Sequence, residues 1–189
     1  MHNSVESRPR TISRRSLLVA IITIPTIVVV DQLTKWLIWN TYGPAGDLVE
    51  SERLGGLLRF HFVRNTGSAF GLFQGQTGIL TVATFVAIGF LVVFFYRNAR
   101  ESAIVALSLS MLVGGAIGNL IDRVRLGYVI DWIKLPNWPT FNVADSSITV
   151  GMVLLFLTII IRDMQDESRD QRETEISAQP QPLSPVNED

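Results

Sequence analysis

Four long apolar runs, separated by polar and turn-rich segments, set the pattern of this chain. The first, SLLVAIITIPTIVVVDQLTKWLIW (16–39), is broken only by Asp31 and Lys35. The others cover about 76–96, 102–121 and 142–161. Each is about 20 residues, enough for roughly 30 Å of α-helix, so the pattern predicts four transmembrane helices. Between runs one and two, residues 40–75 are mixed. GPAGDLVESERLGG is turn-rich, and LLRFHFVRN (57–65) alternates and is rich in aromatic and branched residues, as a short strand is. Residues 122–141 form a second irregular stretch containing Pro136 and Pro139. A basic tail (1–15) precedes the first run. A charged, then Pro/Gln/Ser-rich tail (162–189) follows the last, with the composition of a disordered segment.

Composition sharpens this into an integral membrane protein. The chain is 48% hydrophobic, and its charges crowd into the two ends and a few short connections. Arginines flank the start of run one, the RNAR connection (97–100) and the end of run four. The positive-inside rule then places both termini in the cytoplasm and segments 40–75 and 122–141 outside. SRRSLLVA (13–20) also resembles a twin-arginine export signal. The apolar run is longer than a signal h-region, no small-residue cleavage site follows closely, and three more spans follow, so it reads as the first helix. A net charge of −1 gives no nucleic-acid surface. The absence of cysteine excludes disulfides, thiolate metal sites and a cysteine nucleophile. The two histidines, His2 and His61, leave little room for zinc or Ser-His-Asp chemistry.

With that topology the unusual polar residues fall at one depth. Asp31 lies about 22 Å along run one, toward its outer end. Asn119, Asp122 and Arg123 close run three, Asn142 and Asp145 open run four, and Asn65 and Asp131 lie in the outer segments. Polar side chains from separate helices meeting at one depth mark an intramembrane site. Each also has a plainer reading. Asp31 and Lys35 are i, i+4 and pair on one helix face. Asn142 and Asp145 have the spacing of a helix cap with an acidic N3. Gly114 and Gly118 have GxxxG spacing, a helix-packing face, and Asp122 with Arg123 can be an interfacial charge pair. Asp131, between Ile130 and Trp132, has the weakest structural excuse.

Carboxylates are the acid–base groups this layer offers. Two close together share a proton: the ionised one deprotonates a water, and the protonated one donates to a scissile carbonyl. Asp131 and Asp145 come from different elements, and sequence alone does not bring them together. Asp122, Asp131 and Asp145 around Mg²⁺ in a phosphotransferase are a second reading, although no two acids in the layer share a helix face. A proton-coupled transporter using Asp31 and Asp145 is a third, for which an inverted repeat is missing.

Five stretches, DQLTK (31–35), NTGSAFG (65–71), GGAIGNLIDR (114–123), VIDWI (129–133) and FNVADSSI (141–148), together resemble the bacterial lipoprotein signal peptidase (signal peptidase II) family. The likeness spans about residues 16–161. It implies an all-α integral membrane fold: four transmembrane helices with a small extracytoplasmic β-sheet and an amphipathic helix, the last two mostly from 40–75. It implies an inner-membrane aspartyl endopeptidase that needs no cofactor or metal. Its substrates would be prolipoproteins carrying an S-diacylglyceryl cysteine among membrane lipids, cut just before that cysteine. By the same resemblance Asp131 and Asp145 are the catalytic pair, and Asp31, Asn65, Asn119, Asp122, Arg123 and Asn142 support them or bind substrate. The acidic C-terminal tail lies outside the likeness.

Overall fold

A computed structural model describes residues 13–43, 51–53, 58–67, 73–98 and 102–178. Four long helices carry the apolar runs: α1 (Arg14–Tyr42), α2 (Thr77–Asn98), α3 (Ala103–Leu126) and α4 (Val143–Ala178). All four are long and apolar enough to cross a membrane. Leu18, Ile21, Leu33, Val82, Val86 and Phe90 stand exposed on α1 and α2, the outward apolar surface that hydrocarbon requires and water does not favour.

The centre of the bundle is α3. Two-thirds (67%) of its most apolar stretch is buried, against 11% for α1 and 6% for α2. Its small residues allow this, because backbones can approach where side chains are absent. A Cβ added at Gly115 would lie 2.5 Å from the Ala144 carbonyl oxygen in α4, and one at Gly118 would lie 2.6 Å from Asp31 Oδ2 in α1. The GxxxG face is thus a packing face that also brings a carboxylate of α1 against α3. Ser147 Oγ donates to the Met111 carbonyl at 2.8 Å, tying α4 to α3 one turn further along.

Three strands form one antiparallel sheet in the order β1 (Ser51–Arg53), β2 (Leu58–Asn65), β3 (Val129–Lys134). The alternating 57–65 stretch is β2, as its pattern predicts. Strand β3 follows α3 directly through Gly127, whose φ of 78° closes the helix in the left-handed region. The register sets Val63 opposite Asp131 and Asn65 opposite Val129. Ile38, Phe62 and Ile130 bury together beneath the sheet, with Trp39 edge-on to Phe62 at 5.6 Å. Past the 135–140 turn, Phe141 pairs back onto Ile133, which delivers Asn142 and the start of α4 beside β3.

Two helix ends differ from the sequence expectation. Helix α3 continues to Leu126, so Asp122 and Arg123 are helical and not part of an irregular connection; the helix stops at Gly127, not at its charges. Helix α4 continues past Arg162 to Ala178, where disorder was expected from 162. This segment has no Gly or Pro before Pro180 and is rich in good helix formers. The side chains at Arg162–Gln171 are exposed, and residues 179–189 lie outside the described residues. The described part of 40–75 holds the end of α1, two strands and a turn at 73–75. The amphipathic helix expected from this segment lies outside the described residues.

Candidate active site

A lysine ammonium inside an apolar helix is costly unless every one of its protons is used. Lys35 is 2% exposed, and its three donors have three acceptors. Asp31 Oδ2 lies at 2.8 Å and Asp122 Oδ2 at 2.9 Å, and Asn119 Oδ1 accepts at 3.1 Å. Asp31 sits one turn before Lys35 on α1, and its other oxygen accepts from the Ala144 backbone N–H at 2.9 Å. A carboxylate of α1 therefore satisfies an orphan amide in the first turn of α4, where the helix dipole favours negative charge. Asp122 accepts from Gln32 Nε2 at 2.9 Å and from the Ile130 N–H at 3.1 Å. That last bond ties α3 to β3 next to Asp131.

Asn142 is where the elements meet. It is fully buried and caps α4: its Oδ1 accepts from the Asp145 N–H at 2.8 Å, and Asp145 Oδ2 accepts from the Asn142 N–H at 3.3 Å. This is a reciprocal capping box. A backbone N–H can only donate, so the cap fixes which way the Asn142 amide points. Its Nδ2 is left to donate to Asp131 Oδ1 at 2.8 Å. One side chain thus joins the two aspartates while starting the helix that carries one of them. The cap spacing seen in the sequence and a site role coincide.

The remaining carboxylate oxygens are held by asparagines. Asn65 Nδ2 donates to Asp131 Oδ2 at 2.8 Å, and its own oxygen accepts from the Gly67 N–H at 2.9 Å. Asn119 Nδ2 donates to Asp145 Oδ1 at 2.7 Å. Burial of Asp131, then the negative charge of Asp145, pushes the Asp131 carboxyl up to about 7, against the Asn65 and Asn142 hydrogen bonds that hold it down.

Asp131, Asp145, Asn65, Asn119 and Arg123 all line one cavity of about 700 Å³. Its other walls include Val129, Leu135, Trp138, Phe141, Ile148 and Val150, so the polar groups face an apolar chamber. Asp31, Asp122 and Asn142 form the layer behind it. Seven of the eight sequence-nominated residues join one hydrogen-bonded network. Arg123, the eighth, reaches Asp145, Asp131 and Asp122 through its charge. Among the described residues no three His, Asp or Glu side chains are grouped to hold a metal ion. Asp31 and Asp122 converge on the Lys35 ammonium instead. Lys35 and Gln32 belong to the network but were not among the nominated site residues. Their signal was available in the cost of placing Lys35 within an apolar run.

Residues 23–161 match the sequence profile of the family described as signal peptidase (SPase) II. The chain belongs to the signal peptidase II family. As a member it is a peptidase of the aspartic type, and its four apolar helices make it a multi-pass membrane protein. It is 38% identical over 138 residues to a protein of Halothermothrix orenii named lipoprotein signal peptidase, covering 72% of this chain and 91% of that one. A protein of the same name from Caldanaerobacter subterraneus subsp. tengcongensis is 39% identical over 146 residues, covering 76% and 97%. A solved structure described as a bacterial membrane enzyme, determined in meso at 2.3 Å resolution, superposes with a TM-score of 0.67 at 32% identity. That match covers 89% of this chain and 94% of the other. The signal peptidase II match thus contains every residue of the network, from Asp31 to Asp145.

Proposed function

We propose that this peptidase removes the signal peptide from diacylglyceryl-modified prolipoproteins, cutting just before the lipid-modified cysteine, with Asp131 and Asp145 as the catalytic pair. One observation carries the reading. Two aspartates on the wall of a single cavity of about 700 Å³ are joined through Asn142, and one of them is raised to about 7. The ionised carboxylate takes a proton from a water, and the water oxygen attacks the scissile carbonyl. The protonated carboxyl donates to the carbonyl oxygen, and the tetrahedral intermediate collapses as a proton passes to the leaving amine. Asn65, Asn119 and Asn142 hold the carboxylates in position, while Asp31 and Asp122 hold the frame behind them. Arg123 limits the negative charge that the pair accumulates.

The apolar walls at Ile148 and Val150 suit a substrate that is an apolar helix attached to acyl chains. The same reading puts the protein in the bacterial inner membrane with both termini cytoplasmic and the cavity near the extracytoplasmic face, as the flanking arginines favour. The test is cleavage of a diacylglyceryl-modified prolipoprotein by detergent-purified protein with EDTA present, comparing wild type with Asp131→Asn and Asp145→Asn. Wild type should cleave, and each variant should insert yet lose at least about a hundredfold in rate. Activity surviving in either variant moves the pair elsewhere. No cleavage by well-folded wild type would reopen the metal-dependent phosphotransferase.

A further inference from the structure

We infer that Lys35 is a positioning residue for cleavage: its buried ammonium sets the orientation of the Asn119 amide, and through it the Asp145 carboxylate. The inference rests on the proposed pairing of Asp145 with Asp131.

The geometry leaves the Asn119 amide one good orientation. Its Oδ1 faces two donors, Lys35 Nζ at 3.1 Å and Asn142 Nδ2 at 3.1 Å. Its Nδ2 faces the Asp145 Oδ1 acceptor at 2.7 Å. Turned by 180°, the amide would point its oxygen at a carboxylate and its NH₂ at an ammonium and another NH₂. Lys35 is the one charged group among those donors, so it contributes most to rejecting the flipped state. An amide with no such neighbour can populate both states, and in the flipped one Asp145 loses its short hydrogen bond.

Lys35 is itself pinned. Two carboxylates and the Asn119 oxygen use all three of its protons, and one of those carboxylates, Asp31, also holds the Ala144 N–H, one residue before Asp145. The chain of contacts from α1 therefore reaches Asp145 twice, through its side-chain partner and through the backbone beside it.

Lys35 also acts on Asp131 through space. The groups facing Asp131 are Asp145 from α4, Asn65 from β2, the cap residue Asn142, Lys35 from α1 and Arg123 from α3. Of these, Lys35 is a cation that favours the ionised form of Asp131. Removing it should raise the pH at which Asp131 gives up its proton.

Lys35→Met alone leaves Asp31 and Asp122 facing each other without a cation and can fail to fold. Asp31→Asn with Lys35→Met keeps the net charge of the cluster and leaves an oxygen to accept from the Ala144 N–H. This double variant is compared with Asp31→Asn alone, in detergent, for thermal unfolding, kcat, KM and pH profile on the diacylglyceryl-modified prolipoprotein. Expected are unfolding temperatures close to one another, kcat at least about tenfold lower for the double variant, KM within about twofold, and an alkaline limb moved to higher pH. Adding Asn119→Ala should cost the double variant little more, since both changes cut the same path. Unchanged kcat and pH profile in the folded double variant would overturn the inference. So would a full multiplicative loss on adding Asn119→Ala, or failure of both Lys35 variants to fold, each of which makes Lys35 purely structural. A wild type that does not cleave refutes the proposed function, whereas cleavage by wild type and Lys35 variants alike refutes only this inference.

Discussion

Asn65→Ala isolates one contact to the proposed pair. Asn65 lies on β2, away from the helix caps, and its side chain makes two described hydrogen bonds: to Asp131 Oδ2 at 2.8 Å and from the Gly67 N–H at 2.9 Å. The first stabilises the ionised form of Asp131. A hydrogen bond to a charged group is worth roughly 1.5–3 kcal/mol. The residue is only half-buried, so water replaces part of that, leaving about 1.4 kcal/mol. That is about one pH unit. Loss of a donor to the carboxylate raises the pKa, so Asp131 would move from about 7 toward about 8. In the proposed mechanism the pair is active while it holds one proton, and activity falls on the alkaline side as that proton leaves. The alkaline limb of kcat against pH should therefore shift upward by about one unit, while the variant's maximal rate falls as Asp131 loses its fixed orientation. The assay is a pH–rate profile on the lipid-modified substrate in a buffer series of constant ionic strength. A limb that stays in place, or moves to lower pH, would refute the claim that Asn65 holds the Asp131 charge.

Two further predictions concern packing and extent. Gly118→Ala gains helix propensity of about 1 kcal/mol, but its Cβ would meet Asp31 Oδ2 at 2.6 Å. The overpacking cost of about 1–3 kcal/mol should outweigh the gain, so thermal unfolding in detergent should drop by several degrees and cleavage should fall with it. An equal or higher unfolding temperature would mean that α1 and α3 can separate there. Deleting residues 168–189 should leave cleavage within about twofold of wild type, because the network ends at Asp145 and the cavity lining at Val150; a large loss would assign the C-terminal helix a part in the reaction.

The sequence was most legible where physics is one-dimensional. Apolar length alone marks four spans, and alternation marks β2. The depth argument, which uses only the helical rise and the direction of each run, collects residues that the fold joins in one hydrogen-bonded network. What it could not reach was partner choice. Asp31 and Lys35 are i, i+4 and do pair, so the plain reading was correct as far as it went. The contacts from Lys35 to Asp122 and Asn119, more than 80 residues away, have no trace in local pattern. Boundaries failed for a related reason. Asp122 and Arg123 looked like the end of a span because charges are costly in hydrocarbon, yet burial against Lys35 lets α3 carry Asp122 one turn further, to a stop set by Gly127. The helical continuation past Arg162 was missed because low hydrophobicity argues against a core and not against a helix.

The network also explains why asparagine recurs in it. A carboxylate pair that shares a proton must be held without being neutralised. A lysine or arginine bonded directly to each oxygen would favour full ionisation and pull the proton away. Asn65, Asn119 and Asn142 each donate to one carboxylate and use their own oxygen to accept from a backbone N–H, an ammonium or another amide. Amide donors orient the charge while adding none. The fixed cation, Lys35, is kept one amide away from Asp145, where it sets direction without forming an ion pair. Burial can then hold Asp131 near 7, a value that a directly bonded cation would pull down.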